Sequence, residues 1–237
     1  MSVNNLFKTL LMIARPAAGK SEIIDYLRHT SVPERKNRFH IGSLDVFDDF
    51  PMLWAWFEED RILEDLGHSR LHTDQNRNFK ELYFWDVLIR RICLEYEKKR
   101  HKIPNYHQTH TAILEFSRGK AHGGFRRAFQ HLSQDILSTL VVMYIDVSWK
   151  ESFRKNRERF NPDRPHSILE HGLTDIKMKK LYRESDWEEL SAVDEDFLTI
   201  QGVRVPYVVF DNEDDVTTER GDALGQRLEE ALGVLWG

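Results

Sequence analysis

The sequence predicts an α/β fold, a three-layer α/β/α sandwich built on a parallel sheet. Short, nearly continuous apolar runs rich in branched residues recur along the chain, and longer helical patterns separate them. Strands covered by helices on both faces read this way because neither face meets water. The length of 237 residues suits one large domain with a sizeable core, so residues 1–237 are read as a single domain.

The first run, TLLMIA, leads into ARPAAGKS, residues 14–21, and then into the helical pattern SEIIDYLRHT. A strand, a tight loop and a helix in that order aim consecutive backbone N–H groups and a helix N-terminus at one point, which favours a polyphosphate. Arg15, Pro16, Ala17 and Ala18 form the loop, and Gly19 lets the backbone approach closely. Lys20 brings a positive charge to the β- and γ-phosphates, and Ser21 offers a hydroxyl to Mg²⁺. Ala14 stands where the pattern G-x-x-x-x-G-K-[ST] has its first glycine. One methyl group fits there if φ stays negative.

The second run is FHIGSL, followed by a long stretch, 47–102, with the pattern of two helices; the third run is TAILEFS. GFRRAFQHLSQDIL reads as a helix before the fourth run, LVVMYIDV, and SWKESFRKNRERF and DIKMKKLYRESDWEEL read as helices after it. The last run, VPYVVF, contains Pro206, which sheets tolerate mainly at strand starts and on edges, so this strand is placed at an edge. ERGDALGQRLEEALGVLW closes the chain as a helix. Two connections are too long for simple crossovers: a helical insert at about 46–108 and a basic region at about 150–175. Both follow carboxyl ends of strands, where open α/β sheets bind ligands, and both are expected to cover the substrate.

With these parts in order, the chain resembles a P-loop kinase of the nucleoside, nucleotide and small-molecule kinase group. The shared order is a phosphate loop after the first strand, an acceptor-side insert after the second, an acidic end on the third and an arginine-rich lid after the fourth. This covers nearly the whole chain, although only the phosphate loop is specific as a motif. The resemblance implies a five-stranded parallel sheet in the order 2-3-1-4-5. It also implies ATP and Mg²⁺ as cofactors and transfer of the γ-phosphoryl group to a nucleoside, nucleotide or other small hydroxyl compound.

In AILEFSRG, Glu115 closes the apolar run and Arg118 follows. The resemblance implies a carboxylate here that orients Mg²⁺ with Ser21, and an arginine that touches transferred or acceptor phosphates. A structural Glu115–Arg118 ion pair is the alternative. The spacing is similar to the E-R-S element of deoxynucleoside kinases and the D-G-F-P-R element of adenylate kinases but matches neither, so the acceptor is not implied. Asp45 stands where an acid in such kinases accepts the proton of the acceptor hydroxyl. Its other reading is capping of the helix near Pro51, a task it would share with Asp48 and Asp49.

KESFRKNRERFNPDR puts Lys150, Arg154 and Arg157 on one helical face, with Arg159 and Arg164 beyond. Arg154, Arg157 and Arg159 are candidates for a cationic lid that stabilises transition-state charge and excludes water. A solvated helix with pairs to Glu151 and Glu158 is the alternative. Aromatic residues crowd the insert in FDDFPMLWAWF and at Tyr83, Phe84 and Trp85, either closing an acceptor pocket or packing helices onto the sheet. Trp54 and Trp56, two apart, cannot both face inward on one helix, so one is expected to line the cleft.

Composition excludes other classes. No apolar run approaches the roughly 18 residues of a membrane span, and KTLLMIARPAA has too short an apolar core for a signal peptide. The single cysteine, Cys93, excludes an internal disulfide and fits a cytoplasmic location. A formal net charge of −5 disfavours nucleic acid as a partner and speaks against a polynucleotide end kinase. His107 and His110 of HKIPNYHQTH lack the further ligands of a zinc site. DNEDDVTTER falls where the resembled kinases pass close to the adenine ring, and it also reads as a plain helix N-terminus. A homodimer stays open, as does a regulatory P-loop ATPase that signals to a partner without an acceptor.

Overall fold

The alternation of apolar runs and helical patterns resolves, in a computed structural model that describes residues 5–159 and 173–237, into an open α/β sheet flanked by helices. β1 (Thr9–Ala14) runs into the glycine-lysine loop, and α1 (Lys20–His29) and α2 (Val32–Phe39) lead to β2 (Ser43–Asp48). The insert holds α3 (Phe50–Asp65), α4 (Tyr83–Lys102) and the short α5 (Tyr106–Thr109). β3 (His110–Phe116), α6 (Gly124–Phe129), α7 (Gln134–Leu137), β4 (Leu140–Asp146) and α8 (Trp149–Glu158) follow. The last part contains α9 (Asp175–Tyr182), α10 (Trp187–Ser191), β5 (Phe197–Ile200), β6 (Val203–Asp211), α11 (Val216–Glu219) and α12 (Asp222–Trp236).

Side chains alternate across the strands, and both faces are dry. Leu11, Ile13, Leu114 and Val142 pack on one face with Ile89 and Ile92 of α4 and with Phe125 and Phe129 of α6. Leu10, Met12, Ile113 and Met143 pack on the other with Ile23 and Leu27 of α1, Phe39 of α2, and Leu224 and Leu228 of α12. Each such side chain contributes roughly 1.5–3 kcal/mol by burial. With both faces occupied, the strand ends are left for chemistry.

The sheet order is β2-β3-β1-β4-β6-β5, with β5 antiparallel to β6 and the other pairs parallel. This corrects the expectation of five strands ending at VPYVVF, because β5 covers that edge. Gln201 and Gly202, both at positive φ (50° and 80°), form a two-residue reversal whose twist matches the hairpin strands. Pro206 is accommodated because pairing with β4 begins only at Tyr207, and β5 begins opposite Pro206 at Phe197. Its missing N–H therefore falls at the end of both ladders.

The second strand is also corrected, from FHIGSL to SLDVFD. Ser31 caps α2 by accepting from the Glu34 amide (3.4 Å), with a proline in the first turn, and the helix runs on through Phe39. Phe39 and Ile41 are apolar because both are fully buried in the core beneath α2, and neither belongs to a strand. Two helices read as continuous are broken: GFRRAFQHLSQDIL gives α6 and α7, and DIKMKKLYRESDWEEL gives α9 and α10. Asp186, in the second break, accepts from the Phe125 and Arg126 amides (2.8 and 2.9 Å) and so caps α6. Among the described residues no helix is long and apolar enough to cross a membrane.

Candidate functional site

The glycine-lysine loop joins the central strand to the N-terminus of α1. Ala14 is extended and fully buried in β1, so its methyl group meets no demand for positive φ. The left-handed positions fall later, at Ala17 (φ 56°) and Gly19 (φ 108°). A Cβ at Gly19 would lie 2.6 Å from Thr217 Oγ1 and 2.7 Å from Asn212 Nδ2, so only glycine fits.

Three parts of the chain hold this loop in shape. Asn212, fully buried at the end of β6, donates to the Ala18 carbonyl and to Thr217 Oγ1, both at 2.9 Å. Ser152 of α8 donates to the Pro16 carbonyl at 2.7 Å. Arg15 donates to the carbonyls of Tyr182 (2.7 Å) and Arg183 (3.1 Å), which ties the loop to the C-terminal end of α9. The first helical turn of α1 is thereby positioned with its amides and Lys20 beside the strand ends.

Three carboxylates converge there. Register pairs Asp48 of β2 directly with Glu115 of β3, and Asp49 follows at the start of α3. Arg118 lies 2.6 Å from Asp49 with both side chains nearly buried (2% and 9% exposed), and its guanidinium sits over the Trp85 ring at 4.9 Å. The alternative Glu115–Arg118 pair is therefore not formed. Glu115 is 8% exposed, and its Oε2 has no hydrogen-bond partner among the described residues. Lys20 Nζ donates to Ser117 Oγ at 2.7 Å. Burial lowers the Lys20 pKa from its ordinary value, against the opposing pull of Glu115 and Asp48. Burial, reinforced by Glu115 and Asp49, pushes the Asp48 carboxyl up to about 8.

These groups open onto a cavity of about 780 Å³ between the loop, the insert and α9. Pro16, Ala17, Lys20, Ser21, Glu115, Arg118 and Arg159 line it, so most of the expected residues come together. Arg159 reaches to 3.5 Å from Ser21 Oγ. Asp45 does not join them: it lies in the middle of β2, accepts from the Tyr106 hydroxyl (2.9 Å) and pairs with Lys99 (3.0 Å). The strand-end acids are Asp48 and Asp49, because the strand starts four residues later than the apolar run suggested. Arg154 pairs with Glu151, Glu158 and Asp215, and Arg157 pairs with Asp175, all away from the cavity. Arg164 and positions 160–172 of the expected lid lie outside the described residues.

The insert supplies the opposite wall. Trp54 faces the cavity, while Trp56 packs against His72, Phe79 and Phe84, so both are buried on different sides of α3. Asp60, fully buried, accepts from the amides of Leu71, His72 and Thr73 (2.6–2.9 Å), which fixes the turn after α3. Across the cavity, Lys177 of α9 donates to the Arg77 carbonyl of that turn at 3.3 Å. His122, 1% exposed and stacked on Trp85 at 3.9 Å, also lines the cavity.

Several of these residues escaped the sequence reading. Asp48 and Asp49 were visible only as helix caps, while Asn212 and Thr217 lay in a stretch that also reads as a helix N-terminus. His122 closes a short 3-10 turn and Tyr182 is the last residue of α9; their approach to the cavity is set by tertiary packing, and no spacing announces it. No family model matches the chain, and no curated protein matches it.

The residues fit a divalent cation shared with a polyphosphate. Glu115 Oε2 is an orphaned buried acceptor, Asp48 stands beside it, and Ser21 lines the same cavity. Among the described residues no three His, Cys, Asp or Glu side chains are arranged to hold an ion unaided. Mg²⁺ seldom needs such a cage, taking one or two carboxylates together with substrate phosphates and water.

Proposed function

We propose that the protein is a P-loop phosphotransferase that moves the γ-phosphoryl group of ATP, with Mg²⁺, to a small hydroxyl compound. The observation that carries this reading is the juxtaposition of a braced glycine-lysine loop at a helix N-terminus with an orphaned carboxylate and a large aromatic-walled cavity. The loop amides and Lys20 receive the β- and γ-phosphates. Ser21 and Glu115 would hold Mg²⁺, whose charge offsets that of the phosphates when it is bound. Asp48, in place of the expected Asp45, accepts the proton of the acceptor hydroxyl as the new O–P bond forms and the bond to the β-phosphate oxygen breaks, releasing ADP. Its raised pKa suits that task near neutral pH. Arg118 holds Asp49 in place beside the acceptor, and Arg159 neutralises phosphate charge at the mouth.

The open cavity supports this reading over a regulatory ATPase, in which the insert and Arg118 would be packed or would face another chain. The test follows γ-labelled phosphate from Mg²⁺·ATP into pools of nucleosides, nucleotides, sugars and other hydroxyl compounds. Label is expected on one pool with the wild type and lost with Lys20→Ala. Label emerging only as free phosphate would overturn the transferase reading in favour of the regulatory ATPase.

A further inference from the structure

The transferase reading leaves the acceptor open, and the wall of the cavity narrows it. Trp54, Phe57, Phe79, Trp85 and Tyr182 present flat apolar surfaces, which recognise flat ligands. Among them stands His122. Trp85 stacks on its ring at 3.9 Å and 28°, and Tyr182 meets it edge-on at 4.8 Å, so the imidazole is held on two sides.

Its Nδ1 accepts from the Gly119 amide at 3.4 Å, which in the neutral ring places the proton on Nε2. Nε2 has no hydrogen-bond partner among the described residues. Burial, with Arg118 close by, pushes the His122 pKa down to about 3, so the ring is neutral at neutral pH. A buried N–H without an acceptor is costly, and a ligand atom that accepts from it recovers that cost.

Arg118, the cation beside His122, gives an anionic acceptor little purchase. Arg118 is already matched by Asp49, and it also donates to the Ser117 carbonyl at 2.8 Å. Lys177 donates to the Arg77 carbonyl, and burial lowers its pKa from the ordinary value. Lys180 and Arg77 also line the cavity, and binding of a phosphate-bearing ring reads whether they draw an anion.

We propose that the acceptor is a neutral hydroxyl compound built on a planar ring, and that His122 Nε2–H recognises an oxygen or nitrogen acceptor on that ring. The proposal rests on the transferase reading for the word acceptor, but its binding chemistry is testable without turnover. The probes are pyridinemethanols and nucleosides, set against benzyl alcohol, cyclohexylmethanol, glucose and a pyridinemethyl phosphate. The full chain with ¹⁵N-labelled histidine is titrated with each, and the His122 resonance is assigned by its loss in His122→Phe.

The neutral heteroaromatic compounds are expected to shift the His122 Nε2 resonance and to bind about tenfold tighter than their carbocyclic counterparts. His122→Phe is expected to abolish that preference while leaving Mg²⁺·ATP binding unchanged, and His122→Gln to restore part of it. Should His122→Phe fail to fold, the resonance is assigned by its loss in His122→Gln, and the wild-type shifts and affinities then decide. Tightest binding of the phosphate or of glucose, a preference that survives in His122→Phe, or binding by none of the probes would overturn the proposal. Ring binding without phosphoryl transfer would sink the transferase reading alone; transfer to a ringless acceptor would sink this proposal alone.

Discussion

Asp48 is costly to the fold, and the proposed function gives that cost a chemical use. Its partly buried carboxyl stands beside Glu115 and Asp49, and its pKa rises from 3.8 to about 8. Between those values the folded state keeps a proton that the unfolded chain has released. The associated stability is therefore fully present below about pH 4 and is lost as pH rises through about 8. Asp48→Asn keeps the acceptor for the Phe50 amide, which now bonds Asp48 Oδ1 at 2.9 Å, and removes the buried charge. Without Mg²⁺ the variant is expected to melt a few °C above the wild type at pH 8 and close to it at pH 5, while transfer falls about 100-fold or more. Thermal melts at the two pH values, paired with a rate measurement, check this; a lower melting temperature than wild type at pH 8 would contradict it. Asp48 was legible in the sequence only as a cap, because the apolar pair Phe39 and Ile41 drew the strand four residues too early.

At the scale of elements, α8 separates what spacing can show from what it cannot. Ser148 accepts from the Glu151 amide (3.1 Å), a cap readable in the sequence, and the basic face was readable too. Which arginine turns toward the loop depends on partners distant in the chain. Asp215 and Asp175 draw Arg154 and Arg157 outward, and Ser152 seats the helix on Pro16. Arg154→Ala and Arg157→Ala are therefore expected to leave transfer within about threefold of wild type, since exposed pairs of this kind contribute little. Arg159→Ala is expected to reduce it by about tenfold or more through lost neutralisation of phosphate charge. Steady-state rates for the three variants decide the matter, and a ranking with Arg154 or Arg157 ahead of Arg159 would reverse it. The β5–β6 hairpin had a signal that went unread: Gln-Gly between FLTI and VRV marks a two-residue turn.

Across the whole molecule, parallel strands and crossover helices were legible because apolar runs report burial on two faces. The cavity was not, since its walls come from the insert, the segment after β3 and α9, which only tertiary packing brings together. Arg15 and Asn212 illustrate the same limit at the loop: Arg15 ties it to the Tyr182 carbonyl and Asn212 holds its Ala18 carbonyl, across 167 and 194 residues of chain respectively. On the proposed function, these braces would hold the loop amides in place for a polyphosphate before it arrives, which lowers the entropic cost of binding. The account therefore stands or falls on whether residues 14–21 bind nucleotide. The most direct measurement is a calorimetric titration of the full chain with Mg²⁺·ATP, repeated with Lys20→Ala. The account predicts one saturable site in the wild type, weakened about tenfold or more in Lys20→Ala as the charge on the β- and γ-phosphates loses its partner. Equal affinity in the two proteins, or no binding to either, would contradict it.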